Sequence, residues 1–332
     1  MKSAAALAAL SLSPALFLAS CGGHLPVSNA AVAATPAPQF GPEFWDTWAD
    51  GFAEVSTYDL VIPRYGEMRN GESILIFVSE TFSEKQRVKV DAGKKAKGDE
   101  FPVMKANWQK NFQTGVYDYS EMLSAYLGLG PIAGRAAGSL TKLSFSRQEW
   151  TGHQYVQALF DASRVRVSGA AYFDGDADLA QSLDWKPGAH SEDSLVFWAR
   201  QMAGPLLKPG ESKAVPFLSG LRSARDSHTP LAWTQINLTR AATLTRIEVP
   251  AGEFEAETWA AQLPNGRSYV FQVEKEAPHR ILRWQFTSGE TGELVATERM
   301  KYWELNQPDG VEALRTLGLE PRAPRFIPDE EN

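Results

Sequence analysis

Tyr269-Val270-Phe271-Gln272-Val273-Glu274 and, seven residues on, Ile281-Leu282-Arg283-Trp284-Gln285-Phe286-Thr287 decide the fold class of this chain. In the first run Tyr269, Phe271 and Val273 fall on one side. In the second, Leu282, Trp284 and Phe286 do so, with Arg283, Gln285 and Thr287 opposite. A period of two is the signature of a strand that buries one face. The same pattern extends on both sides as strands over 244–249, 254–263 and 294–305. Their punctuation is Pro250-Ala251-Gly252, Pro264-Asn265-Gly266 and Ser288-Gly289-Glu290-Thr291-Gly292, so the C-terminal third reads as an antiparallel meander.

Upstream, strands are expected over 55–63, 73–82, 87–91, 103–113, 116–126, 140–149, 154–160 and 164–173. Arg69-Asn70-Gly71-Glu72 is expected as the first hairpin turn, because Asn-Gly suits a two-residue reversal. Residues 184–239 are less regular, apart from a helix expected over 192–203, with Ser191 as its N-cap and Gly204-Pro205 as its stop. Short helices are expected at 43–48 and 309–317. The chain is therefore mainly β: a large curved antiparallel sheet, a meander curling into an open half-barrel or clamshell, with one or two short helices. Residues 43–306 form the β-rich domain, divisible into halves at 43–180 and 241–306 joined by a helix-containing connector. Residues 307–332 form a C-terminal helix and tail.

The N-terminus carries an address. Lys2 precedes an apolar, alanine-rich stretch too short for a membrane span, and Leu18-Ala19-Ser20 leads into Cys21, the one cysteine of 332 residues. Small residues before a lone thiol suit a lipoprotein leader over 1–20, cut before Cys21, the acyl attachment point. The run resembles the lipobox of bacterial lipoproteins, and that resemblance implies, with Gly22 rather than an aspartate after the cysteine, sorting to the outer membrane, facing the periplasm. The acyl chains contribute about 0.8 kcal/mol per buried CH₂, enough to hold the protein at the membrane without a helix. Residues 21–42, rich in Ala and Pro and with no Lys, Arg, Asp or Glu in 22–42, form a tether.

Composition narrows the function. A net charge of −7 makes nucleic acid a poor partner. With no second cysteine for a disulfide, stability rests on burial, for which ten Trp, nine Tyr and seventeen Phe provide the area. His24 lies in the tether, and His153, His190, His228 and His279 form no pair at metal-ligand spacing, so no metal is expected. No P-loop, Gly-x-Gly-x-x-Gly or Gly-x-Ser-x-Gly occurs, and no cofactor is expected. Asp174-Gly175-Asp176-Ala177-Asp178 begins like a calcium loop, but Leu179 and Trp185 stand where Gly and Glu are required, so it reads as a solvated turn. Lys85, Arg87, Lys89, Lys94, Lys95 and Lys97 read as a hydrophilic hairpin that could also meet anionic headgroups.

Two clusters mix charge with aromatic residues. Glu149 and His153 flank Trp150-Thr151-Gly152, and Arg222 and Arg225 precede His228. Either could act as an acid/base pair or an anion clamp, or could be a turn whose ionic groups pair with one another. Trp108, Tyr117, Tyr119, Trp259 and Trp284 could line an apolar groove or simply fill the core.

The run from Asn111 through Gly115, Tyr117 and Tyr119 to Ser120, then Gln148-Glu149-Trp150-Thr151-Gly152-His153, Glu192-Asp193 and the stretch from Leu221-Arg222 to His228 resemble a family of uncharacterised β-rich lipoproteins of Gram-negative bacteria. The resemblance spans most of 43–305. Some members are labelled septum formation inhibitor Maf, although the Ser-rich, Arg-bearing motif of the pyrophosphatases of that name is absent here. Val249-Pro250-Ala251-Gly252-Glu253-Phe254 is similar to a periplasmic β-domain of unknown function. Neither resemblance implies an activity. Three functions follow as expectations: non-catalytic binding of a lipidic ligand or an envelope protein, hydrolysis by one of the two polar clusters, or a structural role in envelope assembly.

Overall fold

A computed structural model describes residues 40–91, 98–186 and 188–321. The leader, Cys21, the tether up to residue 39 and Lys94, Lys95 and Lys97 lie outside the described residues. The chain enters through α1 (Pro42–Trp48) and runs up and down through β1 (Ala53–Arg64), β2 (Glu67–Ser83), β3 (Glu100–Thr114), β4 (Tyr117–Gly128), β5 (Leu140–Glu149), β6 (Gly152–Phe160), β7 (Arg164–Ala171) and β8 (Asp178–Asp184). The two-residue β9 (His190–Ser191) leads into a single 3-10 turn (Glu192–Ser194) and α2 (Leu195–Ala199). Then come β10 (Ser212–Leu218), α3 (Leu221–Asp226), β11 (Trp233–Arg240), β12 (Thr245–Val249), β13 (Gly252–Gln262), β14 (Ser268–Glu274), β15 (Ile281–Phe286), β16 (Thr291–Met300) and α4 (Glu312–Thr316).

Among the described residues, sixteen strands join one sheet in the order β8-β7-β6-β5-β4-β3-β2-β1-β16-β15-β14-β13-β11-β10-β9, with β12 paired beside β13. Every pairing is antiparallel except β9 with β10. The mainly β, curved antiparallel architecture expected from the alternation is the one found. Its β1–β16 ladder stitches the two ends of the chain into one continuous surface.

The sheet curls around α2, whose five residues Leu195, Val196, Phe197, Trp198 and Ala199 are all buried. A helix apolar on every side belongs in an interior. Trp198 meets Trp259 edge-on at 5.2 Å, Phe197 meets Phe77 at 5.8 Å, and Tyr58 packs on Trp284 at 4.7 Å. Each such ring contributes about 1.5–3 kcal/mol by leaving water.

The curl almost closes on itself. The side chain of Gln181 on edge strand β8 donates to Leu231 O at 2.7 Å and accepts from Leu231 N at 3.0 Å, as a neighbouring strand would. Trp185 and Trp233 pack 5.5 Å apart beside it. Edge strand β8 therefore meets the segment leading into β11 through a side-chain seam.

Several local expectations are corrected. The first hairpin turns at Tyr65-Gly66, with φ of 55° and 77°, the two positive values that a type I′ reversal needs. Asn70-Gly71 lies inside β2, facing β3. A Cβ on Gly71 would stand 2.2 Å from Asn111 O, so this glycine serves close strand approach rather than a turn. The helix expected over 192–203 stops at Ala199, where Arg200 leaves helical geometry and Gln201 takes φ 61°. The region read as irregular contains β10 and β11, with β8 reaching its edge, and 87–91 contributes only an isolated bridge between Phe82 and Lys89. The final strand ends at Met300.

Arg87 is also no solvated loop cation. It is 5% exposed, donates to Thr141 O and Phe160 O, and pairs with Glu84 and Asp161.

Candidate functional site

In an antiparallel meander, alternate turns share one end of the sheet. Here that end carries the reversals at Tyr65-Gly66, Val116, Trp150, Asn265-Gly266 and Ser288-Gly289. α3 lies across this end, and two cavities open beside it. Asp226 lines both.

The larger cavity has a volume of about 500 Å³. Trp108, Leu123, Phe145, Leu195, Phe271 and Phe286 form its apolar wall. Its floor is a buried ionic network. Glu121 accepts from Arg147 at 2.7 Å and from Arg222 at 2.8 Å, Glu290 accepts from Arg222 at 3.0 Å and Lys110 at 2.5 Å, and Arg147 reaches Asp226 at 2.7 Å. Trp284 donates its indole N–H to Glu290 at 3.2 Å, and Lys110 sits 4.3 Å over the Trp108 ring.

Three cations face three carboxylates, so the floor is neutral as built. Burial alone would raise the Glu121 carboxyl, but the guanidiniums of Arg222 and Arg147 outweigh it and hold it down at about 2. Burial opposes the charge of Arg222 as well, yet Glu121 and Glu290 keep it above its ordinary value. Lys110 is pulled below its usual value by burial despite Glu290.

One acid in the wall behaves differently. Asp193 accepts from Leu221 N at 2.7 Å, and its neighbour Glu192 accepts from Ser223 Oγ at 2.6 Å and Gly220 N at 3.2 Å. Burial, reinforced by the Glu192 carboxylate, raises Asp193 to about 7, so it carries a proton in mildly acidic solution. Arg267, half-exposed at the mouth, lies 3.5 Å from Glu192 and donates to Tyr269 OH at 2.7 Å.

The smaller cavity, about 270 Å³, is lined by Arg64, Tyr65, Tyr119, Glu149, Gln154 and Arg225, with Asp176 and His228 alongside. Asp176 binds Arg225 at 2.6 Å and His228 Nδ1 at 2.9 Å. Only 9% exposed, it is the one buried member of an otherwise exposed turn, since Asp174, Gly175, Ala177 and Asp178 around it face solvent.

The structure sorts the residues singled out in the sequence. Glu149, Arg225 and His228 meet at the smaller cavity, whereas His153 is exposed and lines neither cavity. The carboxylate of Glu149 caps its own turn, accepting from Thr151 N at 2.8 Å and from the Thr151 hydroxyl. Arg222 belongs to the larger cavity. The 222–228 segment begins as α3, and its arginines also bind strand residues and the 176 turn, so it is not a loop paired only within itself.

Of the aromatic set, Trp108 lines the larger cavity and Tyr119 the smaller one. Trp284 is buried and supports the floor. Trp259 is core, packed on Trp198, and Tyr117 stacks between Tyr119 and Trp150 at 5.9 and 6.1 Å.

Sequence reasoning missed Lys110, Glu121, Arg147, Asp193 and Glu290. For three of them a signal existed. Lys110 falls between Trp108 and Phe112, Glu121 between Tyr119 and Leu123, and Arg147 two places after Phe145, all on the inward phase of their strands. A charge at a core-phase position marks a built polar site.

Among the described residues, no group of three or more His, Cys, Asp or Glu side chains could hold a metal ion. No family model and no curated protein matches the sequence. Among solved structures, the chain is similar to the β-barrel-like protein of domain of unknown function DUF1849 from Brucella abortus, at 9% identity and a TM-score of 0.40, over 75% of this chain and 98% of that one.

Proposed function

We propose that this protein is a lipid-anchored, periplasm-facing envelope protein that binds an amphipathic small molecule in the larger cavity without transforming it. The observation that carries this reading is the division of that cavity into an apolar wall and a floor whose charges already satisfy one another. Such a floor asks for no ligand charge, so apolar burial against Trp108, Phe271 and Phe286 supplies the affinity, and Arg267 with Glu192 orients the polar end.

The neutral amphiphile N-phenyl-1-naphthylamine is expected to brighten on adding the protein. Ser227→Trp, at an exposed position on the mouth, is expected to abolish the increase by filling the site. An emission increase unchanged in that variant defeats the reading. The anchor is checked separately by radiolabelled palmitate, expected on the natural chain and absent from Cys21→Ser.

A second reading, hydrolysis, has in its favour the Asp193 carboxyl in the cavity wall, which burial keeps protonated in mildly acidic solution as a general acid requires. It demands that the bound molecule be recovered cleaved, and intact after Asp193→Asn. Recovery of intact ligand from the natural protein supports binding alone.

A further inference from the structure

Gln154 is the most informative residue of the smaller cavity. It is 6% exposed and lines the cavity, yet its side-chain amide has no hydrogen-bond partner among the described residues. The amide therefore opens onto the cavity with donors and an acceptor that no protein group uses, as a ligand-binding side chain requires. Arg64 is similarly underused. Its guanidinium lies over the Tyr65 and Tyr119 rings at 4.7 and 5.0 Å, but its hydrogen bonds are long, 3.4 Å to Asp226 and 3.3 Å to Tyr119 OH, whereas Arg147 and Arg225 hold carboxylates at 2.6–2.7 Å.

The rim is aromatic. Three of the four hairpin tips along this half of the sheet carry an exposed ring, Tyr65 at 61% exposure, Trp150 at 71% and Tyr172 at 76%, while Val116 stands on the fourth. These rings are held in place. Tyr172 lies over Gly152 so closely that a Cβ there would stand 2.7 Å from its ring, and the rings of Trp150, Tyr117, Tyr119 and Tyr65 follow one another at centroid spacings of 5.9–6.4 Å. Tyr65 also occupies a φ of 55° in a turn that favours Asn or Gly, a local strain that positions its phenol 2.6 Å from Tyr119 OH.

We propose that the smaller cavity and the aromatic tips around it form a saccharide-binding site, with one sugar ring in the cavity and its neighbours lying across Trp150 and Tyr172. The chemistry fits a sugar better than an ion or an acyl chain. Arg64, Arg147 and Arg225 face Glu149, Asp176 and Asp226, so the cavity has no net charge to offer an ion, and its polar lining does not suit a hydrocarbon. A hydroxyl both donates and accepts, matching the amide of Gln154, the carboxylate of Glu149 and the guanidinium of Arg64 at once. The C–H faces of a pyranose ring find flat partners in the rim. Hairpin tips two strands apart recur every ~10 Å, near the length of a disaccharide, which favours a linear chain of sugars.

This site does not depend on the larger cavity, to which Gln154, Trp150 and Tyr172 make no contribution. The test uses the acylated protein in detergent, titrated by calorimetry with chitotetraose, cellotetraose and maltotetraose, and sedimented with purified murein sacculi. Binding to at least one is expected, with a Kd of roughly 10 μM to 1 mM for a soluble sugar. Trp150→Ala and Gln154→Ala are each expected to weaken it about tenfold or more, with thermal midpoint and N-phenyl-1-naphthylamine emission preserved. No binding to any of the four at about 5 mM sugar or saturating sacculi overturns the proposal. So does binding that neither substitution changes. Sugar-independent partitioning onto phosphatidylcholine vesicles, lost in Trp150→Ala, would assign the tips to a bilayer instead and also overturn it.

Discussion

Glu54→Ala is expected to lower the unfolding free energy by about 3–5 kcal/mol, visible as a fall of roughly 10 °C or more in thermal midpoint. Glu54 lies on β1 at 2% exposure and Arg200 follows α2 at 3%. Their guanidinium and carboxylate meet at 2.6 and 3.1 Å, and Arg200 also donates to Pro278 O at 2.7 Å while stacking over Phe77 at 4.3 Å. Removing the acid leaves a guanidinium in the interior with no countercharge, and that solvation penalty dominates. The same arithmetic makes a sharper expectation. Glu54→Leu combined with Arg200→Met, which removes both charges and fills the space, should recover most of the loss. Urea denaturation of the three proteins decides it. A double variant no more stable than Glu54→Ala would mean that the pair is needed for more than charge balance.

The second large effect is a change in pH dependence. In the folded protein Asp193 is raised from 3.8 to about 7, mainly by burial. Its protonated form is the one the fold accommodates, so its contribution to stability is whole below pH 3.8 and is lost as pH rises through 7, by up to roughly 4 kcal/mol at ~1.4 kcal/mol per pH unit. His190, fully buried, is lowered from 6.5 to about 4 by burial, so its contribution is whole above pH 6.5 and is lost as pH falls through 4. Between pH 4 and 6.5 the two slopes oppose each other.

Asp193→Asn keeps an oxygen for Leu221 N but removes the titration. The variant should therefore be the more stable protein at pH 8, with an advantage that shrinks toward pH 4. Its own stability should rise with pH from 4 to 6.5, where the natural chain stays nearly flat. Urea midpoints at pH 4.5, 6.5 and 8 measure this. Parallel curves for the two proteins would contradict it.

Most of the sheet was legible because its strands obey a single rule. Tyr269, Phe271 and Val273, or Leu282 and Trp284, announce a half-buried strand in any context. The misreadings came where a residue served a tertiary contact instead of its usual local role. Gly71 lets β3 approach closely and was read as a turn, while Tyr65, an unusual choice for left-handed backbone, holds the turn in its place. Pro216 sits within β10 and argues locally against a strand. It is tolerated because the outer neighbour there is only the two-residue β9.

The polar site was half legible. Arg222, Arg225, His228 and Glu149 stood out by type, but their partners Glu121, Asp176 and Glu290 lie 49 to 101 positions away and become neighbours only through the curl. Nothing local distinguishes Asp193 from any acid at the start of a helical turn. Its unusual proton affinity is created by what packs over it.

The seam at Gln181 has a mechanical consequence. Parting β1 from β16, or any two long neighbours, means breaking a whole ladder, but the girth at the seam is held by side chains: the two hydrogen bonds of Gln181 with Leu231, the contact of Trp185 with Trp233 and the clasp of Asp176 on Arg225 and His228. Being a ribbon rolled upon itself, and not a hoop, the molecule can loosen its grip along one side by giving up side-chain contacts alone, and every strand keeps its partner while it does so.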